Sequence, residues 1–355
     1  MNHQGALAIV LVCMILVLFL GQGCDGPIPI SDGFFSAIVR ADGKIQTNFS
    51  TDGLNWGEGF VHNDVGAIDK GVGIATNKAG VMVFLTFFAR DQAGRTKLFV
   101  RIGLGNSWES HSATQISVNA ASAPAICRID DRFFFIAWNN GGGGISTSLL
   151  DSESLGNSNA FRLLGDINDS LASQIEGTPS VTAVDNKILL VWRTRKPDNS
   201  FDYASNLSTL NAANSNVSFG ASSRLNVSTT RGTLTGFPQV SSTSGVFALS
   251  ISYVRSIGGE QELRRFAYFN SNDGSSWSDF CESENAVNAH LRPHAITLNR
   301  IGQVTQLVSG NGADVDGQIM RNCGESKEWS DSSAFSNNGA SLMQPAIVFR
   351  RGNQP

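Results

Sequence analysis

Continuous apolar runs, separated by short polar segments rich in glycine and asparagine, recur along most of this chain. Four of these runs span residues 81–88, 133–138, 188–192 and 246–253. Because a strand with one face in water shows alternating polarity, uninterrupted runs of this length indicate strands buried on both faces. Around each run the sequence predicts four short strands, which in one unit cover residues 124–129, 132–138, 145–150 and 161–164.

Two independent sets of residues repeat with one period. Aromatic residues that close turn-like segments recur every 52–58 residues, at Trp56, Trp108, Phe161, Phe219, Trp277 and Trp329. Proline-led strand starts recur every 52–59 residues, at Pro124, Pro179, Pro238, Pro293 and Pro345. A period of this length is typical of repeat architectures in which each repeat is one supersecondary unit.

The period predicts an all-β fold, a six-bladed β-propeller with four-stranded antiparallel blades. Residues 33–60 supply strands two to four of a blade but lack its first strand, and residues 344–349 supply that strand. We therefore expect the C-terminal strand to join the N-terminal blade and close the ring, which removes exposed sheet edges. The abundant Gly, Asn and β-branched residues exclude a helical solenoid.

Composition supports a β domain and narrows the range of partners. Charged residues make up only 16% of the chain and glycines number 37, as expected for short strands joined by tight turns. The net charge of −4 lacks the basic excess of nucleic-acid-binding proteins, so we exclude nucleic acid as a partner. No Cys/His spacing matches a zinc site, and the segment 311–317 lacks the closing Glu of a calcium loop. We expect neither a metal nor a cofactor.

The N-terminal residues indicate export. Residues 6–20 form an uncharged apolar run that ends in Gly21-Gln22-Gly23-Cys24, and this run is shorter than the 20 or so residues of a membrane span. Small residues before Cys24 resemble a bacterial lipoprotein signal, in which that cysteine is lipidated. An ordinary signal and an uncleaved anchor are the alternatives. We divide the chain into a signal or anchor (1–24), a linker (25–32) and one propeller (33–355), placed in the cell envelope as an anchored or secreted protein.

The remaining cysteines are Cys127, Cys281 and Cys323. An exported protein can keep a disulfide bond, and Cys281 with Cys323 is the first pair to test. Cys127 lies in an apolar stretch and is expected to be a buried thiol.

Two compact turns carry the clearest local motif, at residues 50–56 (Ser-Thr-Asp-Gly-Leu-Asn-Trp) and 271–277 (Ser-Asn-Asp-Gly-Ser-Ser-Trp). In such a turn the Asp accepts hydrogen bonds from backbone N–H groups just downstream, the Gly supplies a positive φ, and the Trp packs under the sheet. Within six periods these segments resemble the Asp boxes (BNR-like repeats) of the sialidase superfamily of six-bladed propellers. In that family the box lies between the third and fourth strands, opposite the active site.

The resemblance implies a set of catalytic roles. A sialidase uses three arginines to hold the substrate carboxylate, a Tyr nucleophile backed by a Glu, and an Asp acid/base. The candidates in this chain are Arg90, Arg193 and Arg255 for the clamp, with Tyr253, Glu176 and Asp91 for the chemistry. The Phe-Arg-Ile-Pro motif of the family is absent, which leaves the enzyme activity open. The alternatives are a buried Tyr253 with a satisfied hydroxyl and a surface role for Asp91.

Arginines recur at one end of the predicted ring. Loops that follow a second strand or lead into a first strand share one face of a propeller, and they carry Glu176 together with Arg40, Arg90, Arg193, Arg195, Arg255 and Arg292. Because guanidinium groups bind planar anions bidentately, such a mouth suits a carboxylate, sulfate or uronate. Alternatively, these arginines pair with nearby carboxylates such as Asp42, Asp91 or Glu260. His290 and His294, which flank Arg292, are expected to be structural.

The sequence therefore predicts a monomeric, exported and membrane-anchored propeller that binds a ligand, either a glycan or a protein, over the arginine-lined mouth. The first alternative is a sialidase-like glycoside hydrolase that acts on an acidic sugar. The second is a purely structural scaffold of the envelope.

Overall fold

The computed structural model describes residues 32–350, apart from 54, 67–69, 105–106, 109–111, 115–116, 158–159, 169–173, 212–215, 244, 257–261, 283–292, 310–314, 323–327, 330–332 and 335–344. Within these residues the chain forms six antiparallel sheets of four or five strands each. The predicted all-β, six-bladed propeller is confirmed.

The strands of the first half of the chain are β1 (Gly33–Val39), β2 (Lys44–Ser50), β3 (Phe60–Gly66), β4 (Val72–Thr76), β5 (Met82–Arg90), β6 (Thr96–Leu104), β7 (Ser107–Trp108), β8 (Ser112–Ala113), β9 (Ala125–Arg128), β10 (Phe133–Asn139), β11 (Gly144–Asp151) and β12 (Phe161–Asn168). A short 3-10 turn at Ser152–Ser154 follows β11.

The second half contains β13 (Gln174–Val184), β14 (Lys187–Arg195), β15 (Phe201–Asn211), β16 (Asn216–Ser218), β17 (Ser223–Arg224), β18 (Thr233–Leu234), β19 (Gln239–Thr243), β20 (Val246–Ser256), β21 (Glu262–Ser271), β22 (Ser278–Glu282), β23 (His294–Leu298), β24 (Val304–Ser309), β25 (Val315–Asn322), β26 (Glu328–Trp329), β27 (Ser333–Ala334) and β28 (Ala346–Arg350). Blade 1 consists of β28 and β1–β3, blade 2 of β4–β8, blade 3 of β9–β12, blade 4 of β13–β17, blade 5 of β18–β22 and blade 6 of β23–β27.

The last strand closes the ring. β28 is the innermost strand of blade 1, where it pairs antiparallel with β1 so that Phe34 faces Phe349 and Ala37 faces Ala346. The predicted completion of the N-terminal blade by the C-terminal strand is therefore confirmed. The innermost strands β4, β9, β13, β19, β23 and β28 contact one another in sequence around a closed circle.

The second strand of each blade is buried on both faces, as its apolar run predicts. β10 is buried along its whole length, and in β14 only the two terminal residues are exposed. Packing on both faces explains why these strands lack the alternation of a surface strand.

The hydrophobic core lies between the blades rather than within one layer. One cluster of buried side chains fills each of the six contacts between neighbouring blades within the described residues. The repeating aromatics pack against these clusters at successive contacts, as shown by Trp56, Trp108, Phe161, Phe219 and Trp277. In the described part of the chain the aromatic period thus marks one residue at each of five blade contacts.

The two Asp-Gly turns have the predicted hydrogen bonds. Asp273 Oδ1 accepts from the backbone N–H groups of Ser275 and Ser276, both at 2.8 Å, and these bonds lower the pKa of the Asp273 carboxyl. Gly274 has φ +78°, a conformation that glycine adopts without strain. Both turns join the third strand of a blade to its fourth.

The propeller has two distinct faces. We call the side that carries the turns between strands one and two and between strands three and four the turn face. The opposite side, with the turns between strands two and three and the connections between blades, is the mouth face. The Asp-Gly turns lie on the turn face, and those predicted ligand arginines that the structure describes belong to the mouth face.

The innermost strands are joined by side-chain hydroxyl groups and surround a channel. In three consecutive pairs of blades a backbone N–H donates to a hydroxyl of the preceding blade: Val240 to Ser180, Leu298 to Ser241 and Phe349 to Thr297, at 3.0–3.1 Å. These strands line a cavity of about 570 Å³ that extends to the turn face at Asn77, Asp185 and Gly245.

The signal or anchor at 1–24, with Cys24, and nearly all of the linker at 25–32 lie outside the described residues. Of the part that is described, no helix is both long and apolar enough to cross a bilayer.

Truncation after Leu342 should open the ring, because it removes the whole ladder between β1 and β28 and the contacts of Ile347. Burying one such aliphatic side chain contributes about 1.5–3 kcal/mol. We expect the melting temperature of the truncated chain to fall by at least about 10 °C. A chain that lacks only residues 351–355 is the control, and an unchanged melting temperature after truncation at Leu342 would contradict closure by β28.

Candidate functional site

The predicted ligand arginines differ in how they are held. Arg40 follows β1 and pairs with Asp42, with 3.4 Å between Nε and Oδ1. This pair agrees with the alternative hypothesis that the arginines bind nearby carboxylates. Arg90 and Arg255 are exposed near the mouth-face ends of β5 and β20. Arg292 and His290 lie outside the described residues.

Asp91 stabilises the turn in which it lies. Its Oδ1 accepts from the backbone N–H groups of Ala93 and Arg95, both at 2.9 Å, and its Oδ2 pairs with the Arg95 guanidinium. The backbone hydrogen bond from Arg95 is the main cause that lowers the pKa of Asp91. A carboxyl group with a lowered pKa stays ionised at neutral pH, so in this geometry Asp91 is a poor proton donor.

Glu176 lies between two of the predicted arginines at the mouth face of blade 4. Its Oε2 accepts from Arg193 Nη2 at 2.8 Å, and its Oε1 pairs with Arg195 Nε at 2.6 Å. A register shift between Glu176 and Ser180 lets the innermost strand continue past Pro179 and pair with the end of β14. The sequence predicted these three residues at the mouth, and the structure brings them into direct contact.

Arg193 connects blade 4 to blade 5. Its guanidinium lies between the rings of Phe201 and Phe237, 4.2 and 3.8 Å from their centroids. Nη1 donates to the carbonyl oxygen of Thr235 in blade 5 at 2.5 Å. Only 10% of the Arg193 side chain is exposed, compared with 44% for Arg195. Arg193 is therefore a structural residue, and Arg195 is the member of the pair that solvent can reach.

The hydroxyl of Tyr253 does not contact Glu176. It donates a hydrogen bond to Glu282 Oε2, and the tyrosine is fully buried. Burial is the first cause that raises the pKa of Tyr253, and the hydrogen bond to Glu282 is the second. A shielded phenol with a raised pKa is a weak nucleophile. This geometry agrees with the alternative of a buried tyrosine with a satisfied hydroxyl.

Glu282 is the centre of a second carboxylate–guanidinium cluster, on the flank of blade 5 that faces blade 4. Its Oε1 lies 3.2 Å from Arg265 Nη1 and its Oε2 lies 3.8 Å from Arg231 Nη1. Arg231 also pairs with Asp279, which accepts a hydrogen bond from Thr229 at 2.9 Å. These side chains are 13–25% exposed.

Sequence reasoning missed Glu282, Asp279 and Arg265. The register of β20 and β21 places Arg265 directly opposite Tyr253, so a correct hairpin register would have found it. Glu282 and Asp279 reach the cluster from the outermost strand, and no local motif marks that position.

Of the predicted histidines and cysteines, His294, Cys281 and Cys127 lie in the described part of the chain, where their surroundings are structural. His294 Nε2 lies 3.1 Å from Ser250 Oγ, and burial lowers the pKa of His294 to about 3.

Cys281 is engaged in a disulfide bond, while its predicted partner Cys323 lies outside the described residues. Cys127 is a buried free thiol, as predicted. No cluster of three His, Cys, Asp or Glu side chains that could hold a metal ion occurs in the described part of the chain.

Comparisons with known proteins give the fold alone. No protein-family model and no curated protein matches the chain. Among solved structures, the six-bladed propeller lectin of Aleuria aurantia, described with its mode of fucose recognition, aligns with a TM-score of 0.50 at 11% identity, covering 82% of this chain and 88% of the lectin. An α-L-arabinanase of Penicillium chrysogenum in complex with arabinobiose aligns with a TM-score of 0.46 at 12% identity over 73% and 79% of the two chains.

The substitution Arg193→Met should destabilise the fold, since it removes the stacked guanidinium and its bonds to Glu176 and Thr235. We expect a loss of about 2–4 kcal/mol in the free energy of unfolding. The matched variant Arg195→Met should cost less than about 1 kcal/mol, because its pair with Glu176 is half exposed. Denaturant unfolding of both variants measures the difference, and equal losses would mean that Arg193 does not connect the blades.

Proposed function

We propose that this chain is an exported, membrane-anchored propeller that binds a glycan on the mouth face between blades 4 and 5. One observation carries the proposal. In each of these two adjacent blades a carboxylate lies between two guanidinium groups: Glu176 between Arg193 and Arg195, and Glu282 between Arg231 and Arg265.

Fixed pairs of donors and acceptors suit sugar hydroxyl groups. A hydroxyl group both donates and accepts hydrogen bonds, whereas guanidinium only donates and an ionised carboxylate only accepts. Neighbouring hydroxyls on a sugar ring can therefore bind to an Arg and a Glu at the same time. Ion pairs hold these side chains in place before a ligand arrives, which reduces the entropy lost on binding.

The same pairs narrow the ligand class. The arginine-lined mouth predicted from the sequence suits an acidic ligand. Glu176 neutralises much of the charge of Arg193 and Arg195, and Glu282 and Asp279 do the same for Arg231 and Arg265. A neutral or weakly acidic sugar therefore fits better than a highly sulfated one. Arg255, which is exposed near the mouth-face end of β20, offers a guanidinium for a single carboxylate.

Export and anchoring rest on the sequence. The apolar run at 6–20 followed by Gly-Gln-Gly-Cys supports lipidation at Cys24. A lipid-anchored propeller would present its binding face to extracellular or periplasmic glycans.

Glycan-array binding of the purified chain, followed by titration with the best ligand, tests the proposal. We expect Arg195→Gln and Arg255→Gln to weaken binding about tenfold each, which corresponds to about 1.4 kcal/mol. The control is Arg162→Gln, because Arg162 is an exposed arginine on the outermost strand of blade 3 and should not affect binding. A glycan affinity that is unchanged by both mouth substitutions would refute this site. A chain that binds no glycan would favour a protein ligand or a structural scaffold.

A glycoside hydrolase is the second candidate, favoured by one contact. A tyrosine hydroxyl bonded to a carboxylate, with Arg231 and Arg265 on that carboxylate, has the parts of the sialidase nucleophile, although here Glu282 takes the place expected for Glu176. The burial of Tyr253 opposes this role.

A fluorogenic sialoside assay separates the two candidates. The binding proposal expects no turnover by the wild type. Turnover that disappears in Tyr253→Phe but persists in Tyr203→Phe would instead support the hydrolase, because Tyr203 is also a buried tyrosine with a hydroxyl bonded to a carbonyl oxygen, that of Gly236.

A further inference from the structure

Seven large apolar side chains of the described part of the chain are exposed, with at least one on every blade. They are Phe60, Val81, Leu163, Leu207, Val246, Phe280 and Ile301, each at least 36% exposed. None of these residues stands at the mouth-face end of a strand. Val81, Val246 and Ile301 lie in or next to the turns between strands one and two, which belong to the turn face.

Blades 5 and 6 hold the densest part of this surface. Ile301 is 77% exposed and Phe280 is 41% exposed. With Val246 they border a groove of about 290 Å³, whose floor contains Ala248, Leu298 and Val304. We call Val81, Val246, Phe280 and Ile301 the apolar arc, because they belong to blades 2, 5, 5 and 6 and thus flank blade 1 on both sides.

The described chain begins in the middle of this arc. Asp32 precedes β1 on the turn face, and its Oδ1 accepts from Arg300 Nη2 at 2.8 Å. Arg300 also lines the groove beside Ile301. Cys24 lies eight residues before Asp32, and eight residues can span at most about 29 Å when fully extended.

We propose that the turn face is a docking surface for a lipid bilayer, with the apolar arc in the interfacial region and the mouth face turned away from the membrane. This inference rests on the lipid anchor at Cys24 that is part of the proposed function. It adds to that function the orientation of the propeller relative to the membrane. A tether that leaves from the turn face brings this face closest to the bilayer. Apolar side chains on the near face then leave water for the acyl boundary.

The distribution of the arc favours a planar occupant over a protein partner. A stable protein interface buries about 1,200–2,000 Å² with a contiguous apolar centre. The residues of the arc instead lie on three separate blades, around the point where the tether leaves. A flat bilayer can contact all of these residues at the same time. The lipid anchor also holds the apolar arc at a high effective concentration next to the bilayer.

Site-specific fluorescence tests this orientation. The full chain, lipidated at Cys24, is reconstituted into phosphatidylcholine vesicles with an environment-sensitive dye at Ile301→Cys, or at Gln92→Cys as the mouth-face control, since Gln92 is exposed in the turn after β5. We expect the dye at position 301 to brighten roughly twofold and to become shielded from iodide. The dye at position 92 should remain quenchable.

Three other outcomes of this experiment would overturn the proposed membrane orientation. Equal quenching at both positions, or a chain that does not float with vesicles, would overturn the inference. Shielding at position 301 that appears without vesicles and increases with protein concentration would indicate a second copy of the chain, and would also overturn it. Glycan binding by Ile301→Asp, measured separately, tells a failure of docking from a failure of the proposed mouth site, because this substitution should leave glycan binding unchanged.

Discussion

The propeller depends on closure of the ring by one short strand. β28 supplies the innermost strand of blade 1 and also part of the apolar cluster between blades 6 and 1, where Ile347 packs with Phe34 and Leu307. Every blade buries its two faces against neighbours, so a ring with one missing contact would expose two apolar faces at once. The charged cluster around Glu176 shares this dependence, since Arg193 of blade 4 bonds to the Thr235 carbonyl and stacks on Phe237 of blade 5, and the ring fixes the relative position of these two blades.

Much of the fold follows from the sequence because each blade repeats the same local requirements. Pro124 and Pro345 begin innermost strands, and Trp56 and Trp277 each mark one blade contact, so spacing alone counts the blades. Local departures from the period were harder to foresee. The innermost strand of blade 4 continues through a register shift near Pro179, and in blade 5 the matching position is split between β18 and β19. Glycines at 177 and 236 permit these irregularities, but the sequence does not tell how far the strand extends.

The site was only partly predictable, for a physical reason. The sequence shows which residues lie near the ends of a strand, and it correctly grouped Glu176, Arg193 and Arg195 at the mouth. It does not show which residues of the next blade they meet. Arg193 was expected to bind ligand, yet Phe237 and the Thr235 carbonyl, both from blade 5, enclose it. The sequence also does not show which residue of the same blade a side chain meets: Tyr253 was paired with Glu176 of blade 4 in the prediction, whereas the outermost strand of its own blade supplies Glu282.

The pairing of β28 with β1 also sets the order in which the chain can fold. Gly33 pairs with Arg350, so the first blade to be synthesised is the last to be completed. At about 5–20 residues per second, its inner edge waits for roughly 15–60 s for its partner strand. During that time the edge of β1 can pair with other chains.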